Sequence, residues 1–339
     1  LPVVHDTLTR NADGSFTLKE PSQRRLEFDA LGRLHKIVNS HGQPIHLAYS
    51  STNTLPAQIV ESISGKSLNL SYGPNNLLTN IADGLGRNVS FYYNASNQLA
   101  RFVKTLGSVS RTNSFSYDAD GRILTWTNAN GTRVFTDTYD SQGRVATQDD
   151  AVSGNQLTRF YYDESVSNQI VTVVIDRVGA TNIYVHDGFY RLLSVTDGLG
   201  NTTSYGYDEF GNKTAITNAL GQVQKFAYDE FGNITLAKDN AGNQTYYRYD
   251  ASNNLTNVVN AQTNIATFFY DTNNNLISST DFLTNQVAMA YDTNSQLIRV
   301  TSPRLGVTTY TYQGGMLAGI TDAATNTTAM TYDVVGRVM

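Results

Sequence analysis

An all-β chain of tandem antiparallel hairpins, forming one long curled or spiralling sheet, is the fold this sequence predicts. Three observations carry it. Tyrosine returns at a near-constant interval, a turn signal follows each return, and a second turn signal falls about midway to the next.

The interval is measured on an aromatic anchor at Phe28, Tyr49, Tyr72, Tyr93, Tyr117, Tyr139, Tyr162, His186, Tyr207, Tyr228, Tyr249, Tyr270, Tyr291, Tyr312 and Tyr332. Thirteen of the fifteen are Tyr; the spacing runs from 20 to 24 residues and is 21 throughout from Tyr207 to Tyr312. Self-similarity at a fixed period is the signature of a repeat architecture. The pairs nominated as structural repeat anchors are Tyr117-Asp118, Tyr139-Asp140, Tyr207-Asp208, Tyr228-Asp229, Tyr249-Asp250, Tyr270-Asp271, Tyr291-Asp292 and Tyr332-Asp333, with Gly211 and Gly232 in the turns that follow.

The first turn begins at the residue after the anchor, which is Asp in eleven of fifteen units. An Asp there accepts a hydrogen bond from a backbone N–H two residues on. The fourth residue after the anchor is Gly or Asn in eleven units, Asn53 among them; these residues tolerate the positive φ of a bulged hairpin. Two residues further on, Leu34, Ile123, Val145, Ile234, Leu255 and their siblings open the next strand. The second turn reads "DGLG" at Asp83 and Asp197, "NALG" at Asn218, "DNAG" at Asp239, "DFLTN" at Asp281 and "DAATN" at Asp322. No window sustains helical apolar spacing, so no helix longer than a turn is predicted.

The strand entering each anchor alternates. Leu26, Phe91, Phe115, Phe160, Tyr205, Phe226, Tyr247, Phe268 and Met289 stand two places before it, with Asp137 the exception. Period-two geometry puts these residues and the anchors on one face. Stacked repeats would then line up two columns of rings, with aromatic neighbours adding roughly 0.2–1 kcal/mol per pair. About fourteen two-strand units at ~4.8 Å per strand give a ribbon on the order of 130 Å, which must twist. Residues 1–27 form a lead-in segment and 28–339 the array, stopping in mid-repeat.

Composition sets the outer limits. A net charge of −5 with 16% charged residues argues against a basic nucleic-acid-binding face. The longest strongly apolar stretch, Ile170–Ile175, is broken by Thr172 and is far short of a membrane span. Zero cysteines exclude disulfides and thiolate metal sites without fixing the compartment. The chain opens without Met or a signal pattern and is expected to be a piece of something longer.

Segments such as "YDEFGNITLAKDNAG", "YDADGRILTW", "YDSQGRVATQ" and "FDALGRLHKIV" resemble the YD repeats of the RHS family. That family includes bacterial Rhs toxins, the B and C components of insecticidal Tc toxins, and teneurins. The resemblance covers roughly residues 16–339. It implies a spiralling, hollow β-sheet shell that encloses a C-terminal toxin, or a rigid extracellular module. Two departures stand out: nothing matches the self-cleaving aspartyl-protease core of toxin-bearing members, and no toxin domain follows "YDVVGRVM".

Other chemistry is weaker. Asp149-Asp150 suggests paired glycosidase carboxylates, but most acids here open turns. "DTNNN" at Asp271–Asn275 resembles a calcium loop without its Gly and closing Glu. His35, His41 and His46 cluster in one repeat without an acidic ligand pattern. The "GLG" at Gly84–Gly86 and Gly198–Gly200 lacks the third glycine and the following helix of a dinucleotide site. His186 marks an irregular repeat and a kink in the wall. The expectation is a non-enzymatic scaffold without cofactor or metal, secreted or at the cell surface, partnered by the rest of its own RHS polypeptide. It would line a shell around a toxin or other cargo, or build a stiff fibre with neighbouring copies. The alternative is an adhesin or glycan-binding module that uses exposed Tyr, Asn and Thr rows.

Overall fold

The computed structural model describes residues 6–50, 54–150, 157–304, 306–333 and 336–339. Among them are 31 strands of one antiparallel sheet and a single short 3-10 turn, Pro74–Asn76. Strands pair with their chain neighbours. Gln244–Tyr249 pairs with Leu255–Val259, that strand with Ile265–Tyr270, and so on to Leu276–Thr280. Tandem hairpins with almost no helix are what the two turn signals per period require.

In the regular repeats the two turns share one geometry. In the anchor turn Asp208–Asn212, Asp208 N–H donates to Asn212 O at 3.0 Å and Gly211 N–H to Asp208 O at 3.2 Å. Asp208 Oδ1 accepts the N–H groups of Phe210 (3.0 Å) and Asn212 (2.8 Å). In the midway turn Asp197–Asn201, Asp197 Oδ1 accepts from Leu199 and Asn201, both at 2.9 Å. This is a three-residue hairpin loop, a type I turn closed by a residue in the left-handed region. What separates the two turns is the strand beyond. Register slips between Gly206 and Tyr207, so that Tyr207 pairs with Lys213, whereas Ser194–Thr196 pairs with Thr202–Ser204 without a slip. Tyr207 therefore sits at a bulge, as do Tyr117, Tyr139, Tyr249, Tyr270, Tyr291 and Tyr312, whereas Tyr162 pairs with Thr172 without a slip.

The left-handed residue falls where the Gly/Asn column predicts, at Gly211 (φ 88), Asn253 (φ 62) and Asn274 (φ 59). It also falls there in units without Gly or Asn, at Tyr190 (φ 62) and Ser295 (φ 59). The turn's hydrogen bonds therefore set the backbone, whatever the side chain. Asn53 lies outside the described residues. The His186 repeat keeps the common turn, with Tyr190 N–H on Asp187 O at 2.9 Å and the usual slip at Val185/His186. Its sequence irregularity leaves the local geometry intact. In midway turns the same position holds β-branched Thr263 (φ 66), Thr284 (φ 65) and Thr325 (φ 68).

A one-layer sheet offers little full burial. Among the described residues only Val38 and Ala266 are buried hydrophobics. The anchor face is half-buried and its opposite exposed: Tyr247 and Tyr249 against Tyr246 and Arg248, Phe268 and Tyr270 against Phe269.

Contacts divide the chain into two compact units. One comprises residues 1–2, 71–82 and 86–225; the other comprises 3–70, 83–85 and 226–339. In the second, midway turns of the opening repeats meet anchor turns of the last ones. Asn253 Nδ2 donates to Pro21 O (2.8 Å), Asn274 Nδ2 to Ser40 O (2.9 Å) and Ser295 Oγ to His41 O (3.1 Å). Gln43 Nε2 returns a bond to Asn294 O at 2.8 Å. These partners are 232 to 254 residues apart.

Left-handed threonine is strained, at a cost of order 1–3 kcal/mol. Thr263→Gly and Thr284→Gly are expected to raise stability by up to ~1 kcal/mol. Gly211→Val should cost ~1–3 kcal/mol and Gly211→Asn much less. Denaturant titration checks both, and equal stability of the Val and Asn variants would contradict the turn geometry.

Candidate functional site

The chain's most regular chemistry is at the anchors. The hydroxyl of Tyr249 donates to Ile234 O, that of Tyr270 to Leu255 O and that of Tyr291 to Leu276 O, each at 3.0 Å. At least eleven anchors make this bond, from Tyr49 on Leu34 O to Tyr332 on Leu317 O, including Tyr117, Tyr139 and Tyr207. The accepting residue opens the strand after the preceding anchor turn. It lies across the bulge from the preceding anchor: Leu255 pairs with Tyr249, and Leu276 with Tyr270. Each of these tyrosines thus reads the position of the anchor before it. Burial pushes the hydroxyls of Tyr249, Tyr270 and Tyr291 above the ordinary tyrosine pKa, keeping them neutral donors.

The sequence reading assigned the anchor to ring–ring columns and missed this hydroxyl. Rings do meet at Phe102–Phe115, tilted, and at Trp126–Phe135, edge to face, both 6.1 Å between centroids. Those pairs do not explain why the anchor is Tyr and not Phe.

The aspartates are held just as regularly. Five residues after the anchor, Arg33, Arg122, Arg144, Arg191 and Arg337 donate Nε to Oδ2 of their own turn's Asp at 2.6–2.9 Å. In the regular run, Asn212, Asn233, Asn254 and Asn275 donate Nδ2 to Asp208, Asp229, Asp250 and Asp271 at 2.9–3.0 Å. Both types reach onward. The guanidinium groups of Arg33, Arg122, Arg144 and Arg191 lie 4.3–5.1 Å from the ring centres of Tyr49, Tyr139, Tyr162 and Tyr207, as cation–π contacts. Asn233, Asn254 and Asn275 donate to Asn253, Asn274 and Ser295 of the next turn at 2.8–3.0 Å. This Arg/Asn column was visible in "GRL", "GRI", "GRV" and "GNI" but not used.

Hydrogen bonding lowers the titration of Asp29, Asp140, Asp197 and Asp281. The Arg33 and Arg144 backbone N–H groups hold Asp29 and Asp140 below the usual carboxylate range, against an opposing effect of burial. The Asn201 and Asn285 side chains do the same for Asp197 and Asp281. Asp137 is the opposite case: burial raises its pKa, and Gln148 Nε2, donating at 2.9 Å, only partly compensates.

The remaining candidates do not assemble into a reaction centre. Asp149 pairs with Arg133 and Asp150 with Arg177. Asp271 turns its carboxylate inward to the N–H groups of Asn273 and Asn275. His41 sits in a turn with its N–H on Asn39, while His46 lies across from Lys36 on neighbouring strands. The "GLG" segments end midway hairpins. An open groove of about 610 Å³ lies beside Phe231, Tyr247, Tyr249 and Asn253, and the Tyr249 hydroxyl there is already engaged. No described helix is long and apolar enough to cross a membrane.

Residues 2–183 match the family described as Teneurin YD-shell, and residues 187–223 and 249–286 match the RHS repeat. No curated protein matches the chain. Among solved structures, the crystal structure of TcdB2-TccC3-TEV aligns with a TM-score of 0.64 at 13% identity, over 96% of this chain and 21% of that one. A Tc holotoxin pore of Photorhabdus luminescens aligns over 98% of this chain and 25% of that one, at 14% identity and a TM-score of 0.46. The first likeness shows a shared fold; the chain spans about a fifth of that structure's length.

Two pH effects of opposite sign follow. Asp29, Asp140, Asp197 and Asp281 have folded pKa values below the unfolded ~3.9. Their contribution is fully present above that value and is lost as pH falls through the depressed pKa. Acid unfolding is therefore expected below about pH 4, and Asp197→Asn, which copies the acceptor of Asn218, should flatten it. Asp137, with its raised pKa, contributes stability present below the unfolded value and lost as pH rises through the folded one. Asp137→Leu should stabilise the chain at neutral pH and do little near pH 3; an equal gain at both would contradict the assignment.

Proposed function

The chain belongs to the Teneurin YD-shell family, and from that membership we propose that it is a wall segment of a larger secreted or surface-displayed RHS-type polypeptide. The fold is that of a structural shell and not of a catalytic domain. The observation that supports a wall over a binding surface is the hydroxyl-to-carbonyl bond repeated at anchor after anchor. It commits Tyr117, Tyr139, Tyr207, Tyr249, Tyr270, Tyr291 and Tyr332, each leading into the turn of its partner Asp, to holding one repeat on the next. Tyr228, Asp229 and Gly232 occupy the same places in their repeat.

In this reading the array of residues 28–339, with its lead-in, separates an interior from an exterior. The interior occupant would be a toxin or other cargo carried by the same polypeptide. That this chain spans about a fifth of the aligned TcdB2-TccC3-TEV chain supports a role as part of a larger body. Catalysis, a cofactor and a metal have no part in this function.

Tyr249→Ser, or Tyr228→Ser, is expected to destabilise the chain by ~2–4 kcal/mol, as large-to-small substitutions do. The loss should spread to adjacent repeats, because each is stabilised chiefly by its neighbours. Thermal melting and a glycan array read on the same variants decide the matter. Unchanged melting with abolished glycan binding would replace the wall by an adhesin.

A further inference from the structure

The apolar run Ile170–Ile175 serves the anchor face with only half of its side chains. It lies in the strand Gln169–Ile175, between Thr158–Asp163 and Thr181–Asp187, all within the unit that includes residues 86–225. Ile170, Thr172 and Val174 pair with His186, Tyr162 and Phe160 and share the anchor face. Val171, Val173 and Ile175 point the other way. A strand apolar on both faces is one that is covered on both, yet the face away from the anchors meets solvent here, with Tyr161 52% exposed.

Register gathers these residues into a block. On the face away from the anchors, Tyr161 pairs with Val173 and Val173 with Ile183. Asp163 pairs with Val171 and Val171 with Val185, while Arg159 pairs with Ile175 and Ile175 with Thr181. Six apolar side chains thus form three rows, with a cation and an anion at the two ends of one flanking strand. On the same face the neighbouring strands are polar, with Thr138 and Thr147 before the block and Ser194 and Ser204 after it. An apolar block with a polar surround marks an interaction surface.

The corner charges say what fits it. Arg159 and Asp163 are ~13 Å apart along their strand, too far to pair with each other. Among the described residues Arg159 has no carboxylate partner, its guanidinium reaching Leu157 O at 3.5 Å. Asp163 has no cation partner there, its Oδ1 accepting the Ser165 N–H at 2.8 Å. A two-fold axis across the strands, over the row Tyr161–Val173–Ile183, lays a second copy on the first with strand direction reversed. The middle row then meets itself, Ile175 meets Val171, and the Arg159 of each copy faces the Asp163 of the other. Sheets packed face to face lie ~10 Å apart, a span that an arginine and an aspartate side chain bridge together. The block offers on the order of 250 Å² per copy, against the ~800 Å² per partner of a stable complex, so the pair is weak.

We propose that this block is a homotypic contact through which two copies of the chain associate about that two-fold axis. The contact uses the face away from the anchors and is independent of the wall reading.

Sedimentation equilibrium of the 339-residue chain up to ~1 mM reads so weak an association. The average mass should climb with concentration from one copy towards two, and less so in high salt. Arg159→Asp and Asp163→Arg should each weaken the association about five- to tenfold, because every corner then faces its own sign. Mixed in equal amounts, the two variants should recover native association to within about twofold, since their charge patterns complement each other. That recovery also shows that neither variant is misfolded. A chain that stays monomeric throughout, single reversals that associate like the native chain, or a mixture that fails to recover would each overturn the proposal. Hydroxyl-radical footprinting of Tyr161 should show protection that grows with concentration. Protection independent of concentration would mean that another segment of the same molecule covers the block, and would overturn it too. None of these outcomes bears on the Tyr249→Ser melting that tests the wall itself.

Discussion

A sheet one layer thick must hold itself together within its own plane, and the bond from each anchor hydroxyl to the carbonyl across the preceding bulge is how this one does so. A bulge leaves backbone groups out of the ladder, and an unpaired carbonyl on a half-buried face is costly. The next tyrosine supplies the missing donor. One side chain thereby completes the hydrogen bonding of one repeat and fixes the register of the next, which is why the period varies outside the regular run while the hydroxyl contact persists.

The polar side chains extend the same logic along the edge. The turn aspartate organises its own loop through two backbone N–H groups, and the residue five after the anchor then ties that loop to its neighbour. Arginine does so by lying on a ring, asparagine by joining an amide ladder. These exposed or half-exposed contacts are individually weak; repeated, they set spacing and orientation along the array. Where anchor turns also meet another row, as at Asn253 and Asn274, the left-handed position has gained a donor. Glycine could hold the same backbone there but could not make the bond.

Much of this was legible in the sequence because a repeat is its own alignment. The strand and turn positions, the bulge at most Tyr-Asp pairs and the shared face of the anchor and the residue two before it can all be read from spacing. The role of the hydroxyl could not, because its acceptor is a backbone carbonyl and carries no residue signature. Left-handed Tyr190, Ser295 and Thr263 escaped for a related reason: cooperative turn hydrogen bonds override single-residue preference. The meeting of Asn274 with Ser40 depends on how the sheet is shaped over hundreds of residues, which no local pattern encodes.

The central claim is tested most directly by removing the hydroxyl and keeping the ring. Tyr249→Phe, Tyr270→Phe and Tyr291→Phe, singly and together, would be followed by urea unfolding. Each single variant should lose about 1–2 kcal/mol, and the triple variant at least the sum, because an interrupted column loosens both neighbours of every break. Wild-type stability in the triple variant would show that the ring alone sets the repeat, contradicting the account.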